Sequence, residues 1–275
     1  MKQLLLDKQN PHLPSAHLRW ADLAAPATAE GRPVRVFLHG LGASSTHDYP
    51  EIATHPALTT PALARRSLLV DLLGFGHSDR PEAPGGSEAD DAFGYSLEEH
   101  AAAVAAVLDS EGLHGAEVFG HSLGGAVALT LADTRPDLVG SLVLGEANLR
   151  AGGGAWSAKV AEWREEEFVR HGMADFLDGE SDPAYRTTLR LSSPRALHRT
   201  AVGLVRGTSP QLAVLLSRFE GPKAFLVGEA SRPYDEEEDA VGAGARVLTV
   251  PRSGHPMPND NPDGLARTLA EAFTP

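Results

Sequence analysis

The chain has 275 residues, of which 42% are hydrophobic, and it carries a formal net charge of −13 at pH 7. This length suits one α/β unit with a single large core, and the acidic charge opposes binding to nucleic acid or to anionic membrane surfaces. The absence of cysteine excludes disulfides, thiolate catalysis and cysteine-ligated metal.

The N-terminal stretch MKQLLLDKQNPHLPS contains only three consecutive leucines. That apolar run is too short for a signal peptide, and no later run reaches the ~20 residues of a membrane span. We therefore expect a cytoplasmic protein without a membrane segment. Acidic clusters at 88–91, 98–99 and 235–239 are typical of a solvated surface.

Short apolar runs, each followed by a turn, alternate with helix-like stretches along the chain. This alternation predicts an α/β fold with a mostly parallel central sheet flanked by helices. The predicted strands are HLRWADL (17–23), PVRVFLHG (33–40), RRSLLVDLLG (65–74), AEVFGHS (116–122), SLVLGE (141–146), KAFLVGE (223–229) and RVLTVPRSGH (246–255).

The ends of several helices are also readable. Ser96 and Glu99 have the spacing of a capping box, which predicts a helix start before the strand at 116–122. GGAVALTLADTRP (124–136) is apolar nearly all round and predicts a buried helix packed on the sheet. Near the C-terminus, Asn261 and Pro262 suit the N-cap and the first position of a closing helix.

The stretch 150–220 has a different character. It opens with AGGGA and continues as helix-like segments separated by glycine and proline, without a β-like run. We expect a helical cap inserted after the strand that ends at Glu146. The predicted core is then 1–149 together with 221–275, and the predicted cap is 150–220.

The clearest chemical motif is GHSLGG, residues 120–125, which follows a predicted strand and opens a predicted helix. It matches G-x-S-x-G, where the serine is a nucleophile on a sharp strand-to-helix turn. Gly120 and Gly124 fit this turn because side chains two residues before and after the serine would collide. At the helix N-terminus, backbone N–H groups can stabilise an oxyanion beside Ser122.

With this motif, HGLGAS (39–44) and DLLGFGHSDRP (71–81), the chain from about residue 15 to its end resembles the α/β-hydrolase family, in its serine-nucleophile, carboxylesterase-like form. The resemblance implies an oxyanion hole formed by the backbone N–H groups of Leu41 and Leu123. It implies no cofactor and no metal, and it makes 71–81 a structural loop. Family members that use an aspartate nucleophile, such as haloalkane dehalogenases and epoxide hydrolases, are excluded by Ser122.

The predicted general base is His255, in VPRSGHPMPNDNP (250–262). It follows the last strand and precedes the last helix, as the histidine loop does in the family. An imidazole can take the serine proton and return it to a leaving group near neutral pH.

The acid that orients this histidine is missing from its usual place. The family normally has aspartate where GEAS (228–231) ends, and this chain has Ser231. Asp235 and Glu229 are alternative acids in the same region. We predict Glu146 instead, because parallel strands end along one edge of a sheet and its strand is the neighbouring one. The predicted triad is Ser122, Glu146 and His255.

The substrate pocket is expected between the strand ends and the cap. Its predicted lining is His39, Gly40, His121, Trp156, Trp163 and Met257, with Leu41, Leu123, Phe168, Phe176, Leu212 and Leu216 as further candidates. Such an apolar pocket suits a small or medium acyl or alcohol group.

Three functions are compatible with these motifs. The first is a serine hydrolase that acts on a small-molecule ester through an acyl-enzyme. The second is a triad-based enzyme of the hydroxynitrile lyase or cofactor-free haloperoxidase type. The third is a non-catalytic ligand-binding receptor, which Ser231 favours. A monomer or a homodimer is expected in each case.

Overall fold

The computed structural model describes residues 1–10, 13–81 and 93–274. The acidic cluster at 88–91 lies outside these ranges. The described residues form an eight-stranded sheet. Its strands are β1 (Lys2–Leu5), β2 (His17–Leu23), β3 (Arg35–Leu38), β4 (Ser67–Asp71), β5 (Ala116–His121), β6 (Val139–Gly145), β7 (Lys223–Gly228) and β8 (Arg246–Val250).

The strand order across the sheet is β1-β2-β4-β3-β5-β6-β7-β8. The β1/β2 and β2/β4 pairs are antiparallel, and the strands from β4 to β8 run parallel. The prediction of a mostly parallel sheet is therefore confirmed. Strand β1 was not predicted, because four half-exposed edge residues give little periodic signal.

Helices flank this sheet and fill the connections. The described α-helices are α1 (Ser45–Asp48), α2 (Pro50–Ala53), α3 (Leu97–Ser110), α4 (Leu123–Thr134), α5 (Ala155–Ala161), α6 (Glu165–Glu167), α7 (Met173–Gly179), α8 (Pro183–Arg190), α9 (Pro194–Arg206), α10 (Leu212–Arg218), α11 (Glu237–Gly242), α12 (Met257–Asp260) and α13 (Pro262–Ala272). A π-helical turn spans Phe168–Gly172, and 3-10 turns span Leu6–Lys8, Ala27–Ala29 and Glu229–Ser231. None of the helices in the described ranges is long and apolar enough to span a membrane.

The structure confirms two predicted helix starts, at Ser96 and at Asn261, and one predicted buried helix. Ser96 and Glu99 form both hydrogen bonds of the capping box at the start of α3. Helix α4 is buried from Leu123 to Ala132, as expected for a helix that is apolar all round and lies against the sheet. At α13, the Asn261 side chain accepts a hydrogen bond from Gly264 N at 2.9 Å.

The secondary-structure elements described between β6 and β7 are all helices. Helices α5 to α10, which we call the inserted helices, share the hydrophobic cluster of the main core through buried residues such as Phe168, Leu189 and Leu197. They are therefore packed on the sheet unit. Strands β5, β6 and β7 run parallel, so their carboxyl ends, the histidine loop and the inserted helices meet at one edge.

Candidate active site

Ser122 lies at the turn between β5 and α4. Its backbone has φ 51° and ψ −116°, a conformation that non-glycine residues rarely adopt. Its N–H donates to the Gly145 carbonyl of the neighbouring strand at 2.8 Å. This hydrogen bond and the two flanking elements hold the strained turn in place, and the Ser122 side chain faces a cavity.

The glycines around Ser122 are required by close backbone contacts. A Cβ on Gly120 would overlap the Gly124 carbonyl, and a Cβ on Gly124 would overlap the Leu38 carbonyl at the end of β3. The sequence argument for these glycines therefore agrees with the packing. Because these two residues lack side chains, β3, β5 and α4 approach one another closely. This close packing places the 39–44 turn beside Ser122.

The predicted oxyanion hole consists of the backbone amides of Leu41 and Leu123. Leu123 is the first residue of α4, and its N–H is one of the four at a helix N-terminus without an intrahelical partner. Leu41 belongs to the turn after β3 and lines the same cavity as Ser122. Both amides therefore belong to backbone that adjoins the serine.

His39, the first residue of the 39–44 turn, is held in place by two hydrogen bonds. Its Nε2 accepts from Leu72 N at 3.0 Å, so its Nδ1 carries the proton that is donated to the Gly40 carbonyl at 2.7 Å. Burial lowers the pKa of His39 and keeps the ring neutral, as this pattern of one acceptor and one donor nitrogen requires.

His255 lies in the loop between β8 and α12, and its partner is Glu146. Nδ1 of His255 donates to Oε2 of Glu146 at 2.7 Å. The second oxygen, Oε1, accepts from Gly228 N at 2.8 Å. Because Nδ1 is the donor, a neutral His255 presents the lone pair of Nε2 to the cavity.

Glu146 is the buried member of this pair, at 1% exposure, whereas the His255 side chain is 51% exposed. Burial by itself would raise the pKa of the Glu146 carboxyl. The hydrogen bond and charge of His255, with further hydrogen bonds from Gly228 N–H and the Ser231 hydroxyl, outweigh it and lower the pKa. Glu146 is therefore a carboxylate near neutral pH.

The alternative acids lie elsewhere. Glu229 is exposed and accepts from Arg252 N, in the loop after β8, at 2.7 Å. Asp235 is exposed in the turn before α11. Ser231, at the usual acid position, lines the cavity and contributes to the lowered pKa of the Glu146 carboxyl.

His121, the residue before the serine, contacts the histidine loop. Its Nε2 donates to the His255 carbonyl at 2.8 Å, and the two rings lie 4.9 Å apart. Burial, followed by the repulsion of a charged His255, lowers the pKa of His121 to about 3. This neutral ring therefore ties the end of β5 to the backbone of His255.

The loop 71–81 has the structural role that was expected. The buried Asp71 carboxylate accepts from Ser44 Oγ at 2.9 Å, from Thr46 N at 3.0 Å and from His77 N at 2.9 Å. A Cβ on Gly76 would overlap this carboxylate. Asp71 thus links the loop to the end of the 39–44 turn and to the start of α1.

A cavity of about 660 Å³ opens above Ser122 and His255. Of the predicted lining, Gly40, Leu41, His121 and Trp156 border it. Three predictions are wrong. His39 is fully buried below the turn, Met257 is fully buried in the cluster with Leu265, and Trp163 packs against Phe168 with their ring centroids 6.4 Å apart.

The further candidates Leu123, Phe168, Phe176, Leu212 and Leu216 pack in the main core or against it, and their side chains do not border the cavity. Polar residues that the sequence analysis missed take their place. They are Asp48, Asn148, Glu180, Asp182, Tyr185, Tyr234, Glu236 and Asn259. Most belong to loops and helix ends of unremarkable pattern, so the only available signal was the position of Asp182 and Pro183 as a helix start.

Among the described residues, no group of three or more His, Asp or Glu side chains is arranged to hold a metal ion. The arrangement that the structure does provide is a serine on a strained turn, a histidine with a buried carboxylate on Nδ1, and two backbone amides beside the serine. Such an arrangement can transfer a proton from a hydroxyl and stabilise a developing negative oxygen.

The chain is similar in sequence or in structure to several known proteins. An esterase of Mycobacterium tuberculosis is 35% identical over 278 residues, which cover 90% of this chain and 82% of that protein. The acetyltransferase component of an acetoin-cleaving system of Pseudomonas putida is 35% identical over 253 residues, which cover 86% of this chain and 61% of that protein. The crystal structure of an enol-lactonase from Burkholderia xenovorans matches with a TM-score of 0.77 at 18% identity over the whole of both chains.

The family model described as the α/β hydrolase fold matches residues 33–223, which run from the start of β3 into β7. The match includes the Leu41 turn, the Ser122 turn and Glu146. By this match and by its relative from Mycobacterium tuberculosis, the chain belongs to the α/β-hydrolase fold family.

Proposed function

We propose that the protein is a serine hydrolase that cleaves a small or medium carboxylic ester through an acyl-enzyme on Ser122. The observation that carries this proposal is the 2.7 Å hydrogen bond between His255 Nδ1 and Glu146, in a cavity that also contains Ser122. His255 acts as general base through Nε2, Glu146 holds its tautomer and stabilises the imidazolium, and the N–H groups of Leu41 and Leu123 bind the oxyanion. The inserted helices serve as the cap over the pocket.

The reaction follows from these roles. His255 takes the proton as Ser122 Oγ attacks the ester carbonyl, and the tetrahedral oxyanion is stabilised by the two amides. His255 then returns the proton to the leaving alcohol, which gives the acyl-enzyme. Water, activated by the same imidazole, attacks the acyl carbonyl and releases the acid and free Ser122.

The names of two similar proteins, an esterase and an enol-lactonase, agree with an ester substrate. The receptor alternative depended on the missing carboxylate at position 231, and the hydrogen bond from His255 to Glu146 removes that reason. A triad-based lyase or haloperoxidase uses the same groups for other chemistry, so the substrate panel must separate these reactions.

The test combines active-site labelling with turnover. We expect a fluorophosphonate probe to label the protein at Ser122, and Ser122→Ala to abolish both labelling and hydrolysis of acetyl and butyryl esters, with a loss of about 10⁴-fold or more. Ser217→Ala, which removes an exposed hydroxyl from α10, is the matched control and should retain both. Ester hydrolysis that persists in Ser122→Ala would contradict the proposal.

A further inference from the structure

One inserted helix contacts both loops that carry the candidate catalytic groups. The Tyr185 hydroxyl, on α8, donates to the Leu41 carbonyl at 2.9 Å. Asp182, which precedes α8, accepts from Asn259 Nδ2 at 2.8 Å through Oδ2. Asn259 lies in α12, four residues after His255. All four of these partners border the cavity.

The sequence at the start of α8 allows both contacts at once. Asp182 is the N-cap, and its Oδ1 accepts from Ala184 N at 2.8 Å while Oδ2 remains for Asn259. Pro183 at the first helical position preorganises this turn. Tyr185 follows Asp182 by three residues, a spacing that places side chains near one another along a helix. The two contacts therefore come from one rigid turn.

The 39–44 turn is shaped to accept Tyr185. Gly42 has φ +73°, and a Cβ there would lie 2.7 Å from the Tyr185 hydroxyl oxygen. Burial, followed by the nearby Glu180 and Asp48 carboxylates, raises the pKa of the Tyr185 phenol. The hydroxyl therefore stays protonated at neutral pH and can act as a donor to the Leu41 carbonyl.

We propose that the first turn of α8 is a clamp that positions the two catalytic loops relative to each other. Tyr185 holds the turn whose Leu41 N–H binds the oxyanion, and Asp182 holds the loop that carries His255. This inference rests on the proposed function, because it concerns groups that act in the transition state. Tyr185 and Asp182 are positioning residues, since they act through Leu41 and through the His255 loop.

The kinetic test compares Tyr185→Phe and Asn259→Ala with Thr187→Val. Thr187 is on the same helix, is exposed, and donates only to the Pro183 carbonyl at 2.8 Å, so its variant removes a hydroxyl without touching the clamp. An amide displaced from the oxyanion costs transition-state binding, so we expect Tyr185→Phe to lower kcat about tenfold or more with little change in KM. Asn259→Ala should lower kcat similarly, and Thr187→Val should leave both constants unchanged.

A second readout needs no substrate. Backbone hydrogen exchange of 39–44 should accelerate in Tyr185→Phe, that of 252–260 should accelerate in Asn259→Ala, and neither should change in Thr187→Val. The clamp would be overturned by unchanged exchange in Tyr185→Phe and Asn259→Ala. It would also be overturned if Tyr185→Phe had the same kcat as Thr187→Val. In both cases the proposed function would stand as long as turnover depends on Ser122. A lack of Ser122-dependent turnover in the unmodified protein counts against the proposed function alone, since exchange still tests the clamp.

Discussion

At the scale of single residues, the site is organised around Glu146. Its backbone has φ 41°, and its N–H donates to the Leu226 carbonyl of β7 at 2.9 Å. One carboxylate oxygen accepts from Gly228 N, and the other accepts from His255 Nδ1. The left-handed conformation turns the side chain from the end of β6 toward the end of β7. A carboxylate that starts one strand away thus serves the same histidine.

We predict that Glu146→Gln lowers kcat by about 10³–10⁴-fold, because an amide can stabilise neither the histidine tautomer nor the imidazolium. Asp235→Asn, which removes an exposed carboxylate from the same region, should retain activity. Both are measured as kcat and kcat/KM on an activated butyryl ester. Full activity in Glu146→Gln with loss in Asp235→Asn would transfer the role to Asp235.

We further predict that the acid can be returned to position 231. The Ser231 side chain borders the cavity, and its Oγ would lie 3.9 Å from a Cβ on Gly254, next to His255. Glu146→Gln combined with Ser231→Asp should therefore have a kcat at least tenfold higher than that of Glu146→Gln alone. The matched control is Glu146→Gln with Ser231→Asn, which has the same shape and no charge. Equal activity of the two double variants would show that a carboxylate at 231 does not reach His255.

These residues also show what the sequence could predict. The meeting of Ser122, His255 and Glu146 at one cavity was predictable because each follows a recognisable strand, and the ends of parallel strands share one edge. Tyr185 and Asp182 were not, because an amphipathic helix pattern does not tell which polar residue meets a distant loop. His39 and Met257 were assigned to the pocket from their nearness in sequence to the motifs, whereas their side chains point into the core.

At the scale of elements, α3 and α9 are joined by a buried histidine. His100 on α3 has its Nε2 3.3 Å from the Thr200 hydroxyl on α9, and among the described residues its buried Nδ1 has no hydrogen-bond partner. The ring packs against Phe93 with centroids 5.7 Å apart. Burial, with the nearby His39, lowers the pKa of His100 to about 3. This contact between the sheet unit and the inserted helices therefore requires a neutral imidazole.

The stability of the protein should fall in mild acid for this reason. Between the ordinary histidine pKa of about 6.5 and the folded value, the unfolded chain binds a proton that folded His100 does not bind. Each such group lowers the free energy of unfolding by about 1.4 kcal/mol for every pH unit below about 6. His100→Phe keeps an aromatic ring and removes the titration, so we expect a shallower loss of stability between pH 6 and pH 4.

Urea unfolding measured at several pH values checks this prediction. His171→Gln, which removes an exposed imidazole from the π-helical turn, is the control and should leave the pH dependence unchanged. If His100→Phe loses stability with falling pH as steeply as the unmodified protein, then His100 does not contribute and the acid sensitivity has another source, such as His121.

At the scale of the whole molecule, the chain has a net charge of −13, and the residues that border the cavity are acidic as well. The described residues that border the cavity include no lysine or arginine, and their carboxylates are Asp48, Glu146, Glu180, Asp182 and Glu236. Burial raises the pKa of Glu236; the charge of Arg150, which does not border the cavity, opposes this shift, and Asp235 and Asp239 add to it. Burial also raises the pKa of Asp48. Among the described residues that border the cavity, no lysine or arginine is therefore placed to pair with an anionic substrate.

We predict that the enzyme discriminates against esters whose acyl group carries a carboxylate. A charge about 7 Å from one carboxylate is repelled by about 0.6 kcal/mol in water and more near protein, so two or three such neighbours disfavour binding about tenfold or more. A monosuccinyl ester should therefore have a kcat/KM at least tenfold below that of the matched butyryl ester. Because salt screens exposed charges, this difference in kcat/KM should shrink between 0.05 M and 0.5 M NaCl, while kcat/KM for the butyryl ester changes little.

The variant test uses two carboxylates. Glu236→Gln should narrow the difference in kcat/KM between the two esters, and Glu238→Gln, which removes an exposed carboxylate of α11 outside the cavity, should not. An anionic ester that is cleaved as well as the neutral one at low salt would mean that the cavity carboxylates do not face the acyl group.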